Sequence, residues 1–330
     1  MKKRWKVLCC ALLAGSLCAC GSAGDEGEDR EVTLILDYVP NTNHTGIYVA
    51  QEKGYFEEEG ITLNIVEPGN DQTSATLVGA GRGEFGVSYQ EDVTYARTAE
   101  NPLPIRAIAT VIKHNTSGFV SAASKDINSP ADFEGKVYAG WQSPSEEAVI
   151  RACMTKAGAD PDKITIVGDS GDGFASLEGD VDIKWFFEGW DNVKAEMAGF
   201  ELNYMPLNEY DERLDYYTPV LIASEDVIEN DPELVRSFLR AVKKGYQFAI
   251  DNPDESAEIL SEYVPDYDIE FLKKSQAFLS ANYTDDKENW GVMEDAVWDN
   301  YTDFMVEYGL IDEPIAASEQ YTNEFITDLD

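Results

Sequence analysis

Leu36-Asp37-Tyr38-Val39-Pro40-Asn41-Thr42-Asn43-His44-Thr45-Gly46-Ile47-Tyr48-Val49-Ala50, continuing through Glu52-Lys53-Gly54-Tyr55-Phe56-Glu57-Glu58-Glu59-Gly60-Ile61, is the stretch whose reading decides the fold. Residues 33–36 form a β-branched and apolar run of strand length. Pro40 and the asparagines break it, and a helical pattern over 45–53 stops at Gly54. Polar side chains therefore gather where a strand ends and a helix begins. In an open α/β sheet, ligands bind there, outside the carboxyl ends of the strands. Asp37, Tyr38, Asn41, Asn43 and His44 surround this first junction and point to a bound small molecule.

The same alternation extends outward. Strands are expected over 62–66, 85–88 and 106–111, with helices over 71–80 and 91–99 between them. This is the pattern of a largely parallel sheet with helices on both faces. A second series follows, with strands over 119–124, 136–139, 164–167 and 181–187. Its helices open at Ser129-Pro130 and Pro144 and cover 190–198. From Pro219 the composition turns to long helices, beginning at Asp231-Pro232-Glu233, where Asp caps and Pro takes the first helical position. Leu234, Val235, Phe238, Leu239, Val242 and Tyr246 give one apolar face at helical spacing.

The N-terminus reads as a targeting segment. Met1-Lys2-Lys3-Arg4-Trp5-Lys6 is basic, 7–17 is apolar but too short for a stable span, and Leu17-Cys18-Ala19-Cys20-Gly21 has small-residue spacing. Residues 1–19 are expected to be a signal peptide and 20–31 a solvated linker rich in Gly, Asp and Glu. Without the four basic signal residues the formal charge moves from −38 to −42. Such a chain repels nucleic acid, and an anionic ligand would need local cationic help. Cys9, Cys10, Cys18 and Cys20 lie in or beside the signal, leaving Cys153, in a helical pattern, as a buried inert thiol.

Two further clusters carry candidate chemistry. In Tyr138-Ala139-Gly140-Trp141-Gln142-Ser143-Pro144-Ser145-Glu146, Ser143 caps the helix and Glu146 completes a capping box, although Ser143 also stands among the ligand candidates. Trp141, in a strand-to-helix loop without a core face to fill, either lines the cleft, where it could stack on a flat ring, or is a bystander. In 181–192, alternation puts Ile183, Trp185 and Phe187 on one face, and Glu188 emerges at the strand end, either to meet an amine or to be solvated. Trp185 and Trp190 flank it and are assigned to the ligand. At the third junction Ser88-Tyr89-Gln90-Glu91 offers Tyr89 and Gln90. Neither first-lobe junction holds a basic side chain other than His44, so an amine donor fits better than an anion. The glycine-rich 79–83 and the acidic 169–173 lack the context of a dinucleotide or calcium loop and read as turns, and no metal or catalytic constellation is found.

The wording Asn41-Thr42-Asn43-His44-Thr45-Gly46, together with Tyr321-Thr322-Asn323-Glu324-Phe325, resembles extracytoplasmic solute-binding proteins for pyrimidine precursors of thiamine, the ThiY-like family. Fungal enzymes that make the same pyrimidine share its fold. The resemblance implies an α/β, two-lobed periplasmic binding protein fold of type II, each lobe a mostly parallel sheet flanked by helices. Lobe one would take 32–117 and 219–330 and lobe two 118–218, with two hinge crossings. It places a family glutamate at Glu188, and Tyr38 stands where relatives often carry Trp. It implies a monomeric binder, not an enzyme, with no cofactor, that holds a small-molecule aminopyrimidine and serves an ABC permease and its ATPase. The 17–21 pattern resembles a lipobox, which implies acylation of Cys20 and a lipid anchor on the extracytoplasmic face of the cell membrane. The rivals are a binder for a flavin or a sulfonate, and a single-turnover pyrimidine synthase. The fungal enzymes carry a histidine in the His44 segment that supplies pyrimidine atoms and a cysteine run near the return crossing. Asp215-Tyr216-Tyr217-Thr218-Pro219-Val220 holds no cysteine, which demotes the synthase reading. The anchor gives a first prediction: Cys20→Ser releases the protein from membranes with its fold intact. Fractionation that leaves the variant in the membrane pellet would refute it.

Overall fold

The computed structural model describes residues 30–69 and 72–329, so the expected signal, Cys20 and nearly all of the linker lie outside the described residues. The first sheet is built from β1 (Arg30–Ile35), β2 (Ile61–Val66), β3 (Phe85–Ser88) and β4 (Ile105–Thr110). Between them run α1 (Thr45–Glu52), α2 (Tyr55–Glu58), α3 (Ser74–Gly79) and α4 (Gln90–Thr98). The chain then crosses to β5 (Ser117–Ala122), β6 (Val137–Gly140), α5 (Pro144–Lys156), β7 (Thr165–Gly168), β8 (Lys184–Phe187), α6 (Val193–Met197) and β9 (Leu202–Pro206). It returns through β10 (Val220–Ser224) and ends in α7 (Glu225–Asn230), α8 (Pro232–Asp251), α9 (Pro253–Tyr263), α10 (Ile269–Asn282), α11 (Asp295–Glu307) and α12 (Ala317–Gln320). No helix among the described residues is long and apolar enough to cross a membrane.

The first sheet has the order β2-β1-β3-β10-β4. In the second lobe β8-β5-β9 form one ladder and β6-β7 another, joined through the parallel bridge between Tyr138 and Ile183. Each lobe therefore has four strands running one way and one against them, β10 in the first and β5 in the second. The exceptions share a cause. Each is the first strand laid down after a crossing, so it starts at the edge facing the other lobe, where the remaining strands end. The sheets are therefore mixed: strand direction is mostly shared in each lobe, but in the second lobe both ladders of β5 are antiparallel and only β6-β7 is a parallel ladder, because β5 lies between β8 and β9.

Local signals placed most elements within a few residues. Thr73 caps α3 and Ser143 caps α5, each accepting a backbone N–H. Residue 71, where the second helix was expected to start, lies outside the described residues. Strands β9 and β10 were not foreseen. Val220–Ser224 is buried on both faces, and such a run has no period to separate it from the buried helices that follow. The helix expected over 190–198 opens instead as a π-helical turn over Glu188–Asn192.

The first lobe is tied together at a contact between α1 and α8. A Cβ on Gly245 would lie 1.9 Å from the Gly46 carbonyl oxygen, and one on Gly46 would lie 2.3 Å from the Tyr246 ring. The backbones meet because neither glycine has a side chain. Tyr246 then donates its hydroxyl to the Asn43 carbonyl at 2.7 Å, and Tyr283 donates to that of Thr42 at 2.6 Å. The C-terminal helices also reach the second lobe. Trp190 packs edge-on against Tyr267 and Phe271, and Ser275 donates to the Gly189 carbonyl at 2.5 Å. Along α11, Trp298 joins the core under the first sheet while Tyr301, Phe304 and Met305 join the core of the second.

His114, in the first crossing, joins both crossings to the helical layer. Its Nδ1 is 2.7 Å from Asp215 of the return crossing, and its Nε2 is 3.0 Å from Asp285 between α10 and α11. Asp215 also accepts the Asn115 backbone N–H at 2.9 Å. Two carboxylate partners require both ring nitrogens to donate, so the bonded form is the imidazolium. Burial works to lower the His114 pKa, but the hydrogen bonds and charges of Asp215 and Asp285 outweigh it and raise it. The bonus is then fully present below the unfolded value of about 6.5 and is lost as pH rises through the higher folded value. Because the site is half-exposed, its worth is below about 1 kcal/mol. Urea unfolding at about pH 5.5 and about pH 8.5 should show wild-type stability falling by such an amount relative to His114→Gln; parallel pH profiles would refute the clamp.

Candidate functional site

The first junction delivers Asp37 from the end of β1. Asn41 caps the short 3₁₀ turn Thr42–His44, its Oδ1 accepting the Asn43 N–H at 2.9 Å and its Nδ2 donating to the Val39 carbonyl at 3.0 Å. That turn swings His44 back under Asp37. The Asn41 N–H donates to His44 Nδ1 at 3.2 Å, so the ring proton sits on Nε2 and is donated to Asp37 Oδ1 at 2.7 Å. His44 is 0% exposed. Burial works to raise the Asp37 pKa, but His44 and the Tyr89 hydroxyl outweigh it and hold the carboxyl below its usual value. Tyr89, half-buried beside that carboxylate, is pushed well up by desolvation and by the Asp37 charge.

Asp37, Tyr38 and Tyr89 converge on a cavity of about 350 Å³, with Glu67 from the end of β2, Gln72, and Asp92 from the first turn of α4. Tyr38 is 65% exposed at its mouth. Among the described residues, no lysine, arginine or histidine lines it. Asp92 is pushed up to about 6, chiefly by burial and also by the charges of Glu91 and Asp37. Gln90 stands behind this wall: its Oε1 accepts the Tyr217 N–H at 2.9 Å and its Nε2 donates to the Val297 carbonyl at 3.1 Å. Thus Asn41, His44 and Gln90, expected at the ligand, have their polar atoms spent on the frame that holds Asp37 and Tyr89.

The second lobe supplies an aromatic pair. Trp141 is 60% exposed, and its ring lies 5.8 Å from that of Trp185, which meets Phe119 edge-on. Trp185 Nε1 is buried with no hydrogen-bond partner among the described residues. Glu188 follows at the end of β8, where its N–H donates to the Thr116 carbonyl at 3.0 Å, and burial raises its carboxyl. Trp190 is spent on the contact with α10. Ser143 is the N-cap of α5, accepting the Glu146 N–H at 3.2 Å. The expected capping box is not formed, because the Glu146 carboxylate turns instead to the N–H groups of Trp141 and Gln142. Glu67, Gln72 and Asp92 also line the first-lobe cavity and were not among the expected residues. Applying the strand-end rule to β2 as well as to β1 and β3 would have found Glu67, while Asp92 carries no local signal beyond its place at a helix start.

The first-lobe cavity offers mainly hydrogen-bond acceptors, while the second lobe offers the Trp185 N–H as a free donor among the described residues. In the first-lobe cavity carboxylates stand beside Tyr38 and Tyr89, which suits a flat ring bearing N–H donors; Trp141, Trp185 and Glu188 are not among its lining residues.

The chain is similar to a formylaminopyrimidine-binding protein of Halalkalibacterium halodurans, 27% identical with 96% of this chain and 97% of the relative covered. A 4-amino-5-hydroxymethyl-2-methylpyrimidine phosphate synthase of Legionella pneumophila is 26% identical over 90% of this chain and 92% of its own. Among solved structures, the periplasmic aliphatic sulphonate-binding protein SsuA of Escherichia coli superimposes with a TM-score of 0.69 at 12% identity, covering 88% of this chain and 92% of that one. That likeness establishes the two-lobed fold alone. The family profile described as NMT1/THI5 like matches residues 41–256, more than half of the sequence, and the chain belongs to that family.

Proposed function

We propose that this protein is the lipid-anchored, extracytoplasmic solute-binding subunit of an ABC importer and that it captures a thiamine pyrimidine precursor of the hydroxymethylpyrimidine or formylaminopyrimidine type between its lobes. The observation that carries this reading is the wall of Asp37, Glu67 and Asp92 beside Tyr38 and Tyr89, with no lysine, arginine or histidine among the described lining residues; Trp141 and Glu188 of the second lobe lie outside that lining and are proposed to meet the ligand from the other side. An aminopyrimidine has a π face for stacking and an exocyclic amine that asks for an acceptor. The formylaminopyrimidine-binding relative, alike over nearly all of both chains, supports the same cargo. In this reading the protein binds and releases without chemistry, as a monomer, and hands its cargo to a permease and its ATPase.

The synthase relatives keep an enzymatic alternative in view. Against it stand a return crossing without cysteine and a Cys153 thiol that burial pushes up to about 12.

Calorimetric titration with hydroxymethyl- and formylaminomethyl-pyrimidine tests the cargo, and wild-type protein that takes up neither would overturn it. Glu188→Gln keeps the shape and removes the charge; it should cost about 1.5–3 kcal/mol of binding, roughly tenfold or more in affinity. Unchanged affinity would remove Glu188 from the site. A pH dependence follows from Asp92, whose carboxyl titrates at about 6. It ionises as pH rises through that value, so affinity for an amine-bearing ring should increase from about pH 5 to about pH 7, and Asp92→Asn should flatten the rise. A profile identical in both proteins would refute the role of Asp92.

A further inference from the structure

The loop between β6 and α5 has the makings of an anion site, and one of its own side chains fills it. The N–H groups of two successive residues, Trp141 and Gln142, donate to opposite oxygens of Glu146, at 3.1 Å to Oε1 and 2.7 Å to Oε2. The Tyr138 hydroxyl adds a third bond to Oε1 at 2.6 Å. Gln142 adopts a φ of 60°, in the left-handed region, and such a turn gathers neighbouring N–H groups into a concavity that favours negative charge. Glu146 is 2% exposed although the residues it holds, Trp141 and Gln142, are exposed. Gly140 makes the room, since a Cβ there would lie 2.0 Å from Glu146 Oε1. The start of α5 is partly taken: Pro144 has no N–H, Ser143 Oγ accepts that of Glu146 at 3.2 Å, and the Ser143 carbonyl accepts that of Glu147 at 3.1 Å.

We propose that Glu146 is a specificity-determining residue: it fills the anion-binding turn of the second lobe with the protein's own carboxylate, so that phosphate- and sulfonate-bearing ligands are refused and uncharged or amine-bearing rings are kept. The identity of the accepted ring rests on the pyrimidine reading above. A phosphate or sulfonate ligand at this turn would find its hydrogen-bond donors already engaged and a like charge in their midst. The same three bonds fix the loop that presents Trp141, so one carboxylate both shapes the aromatic face and sets the sign of charge beside it.

The experiment uses the full chain and Glu146→Ala. Thermal unfolding is followed in sodium sulfate and in sodium chloride at equal ionic strength, and hydroxymethylpyrimidine and its phosphate ester are titrated. The variant should melt below wild type, recover selectively in sulfate, and bind the phosphate ester about tenfold more tightly than wild type does. Glu146→Gln retains an acceptor but not the charge, and covers the case in which the alanine variant does not fold. Its preference for the alcohol over the ester should shrink at least roughly threefold. A folded alanine variant indifferent to sulfate, or a glutamine variant with the wild-type preference, would overturn the proposal. Wild-type protein that binds neither pyrimidine would overturn the cargo and with it the named ring, whereas sulfate rescue of Glu146→Ala would still support the filled turn.

Discussion

The backbone contact of α1 with α8 is the constraint on which the first lobe and its half of the site depend. Gly46 and Gly245 remove the side chains that would hold the helices apart, and Tyr246 fills the space beside them. With α8 that close, Tyr246 and Tyr283 can each donate to a carbonyl of the 42–43 turn. The turn in turn sets His44, and His44 sets Asp37. A side chain at either glycine would push the helices apart and move the carboxylate at the end of that series, far from the substituted position.

Electrostatics follow a consistent sign. The chain is strongly acidic overall, yet most of its acidic groups at the surface are solvated or paired and cost little. The carboxylates after β1 and β8 and at the start of α4 differ. Asp37 is held below its usual pKa, against burial, by the His44 imidazole and the Tyr89 phenol. Asp92 and Glu188 are raised by burial and have no cation beside them. Buried charge that is left uncompensated is expensive, and a protein keeps it where a partner arrives to compensate it. Glu146 is the contrast, because its three donors are all supplied by the protein and nothing from outside is required.

The lobes are joined by more than the two chain crossings. Helix α11 contributes Trp298 to one core and Tyr301, Phe304 and Met305 to the other, and α10 receives Trp190 of the second lobe. Lys194 of that lobe lies 4.5 Å from the Trp190 ring centre and 5.3 Å from that of Phe271, a cation–π contact that spans the same seam. Movement between lobes must therefore slide or open this aromatic seam as well as bend the crossings.

By itself the sequence determined the alternation of strands and helices, the caps at Ser143 and Asp231, the first junction with Asp37 and Tyr38, and the family wording around residues 41–46. These are local: capping, breaking and periodicity act over a few residues, and a strand end followed by a helix start marks a ligand edge wherever it lies. The tertiary structure alone decided that His44 and Gln90 support the wall instead of forming it, because their partners, Asp37, Tyr217 and Val297, come together only when the sheet and the C-terminal helices are assembled. It decided the use of Glu146, whose spacing from Ser143 suited a capping box equally well; the glycine at 140 and the left-handed turn at 142 gave its carboxylate closer donors. It also decided the direction of β5 and β10, since a strand's sense depends on which lobe the chain arrives from, and nothing within 220–224 records that.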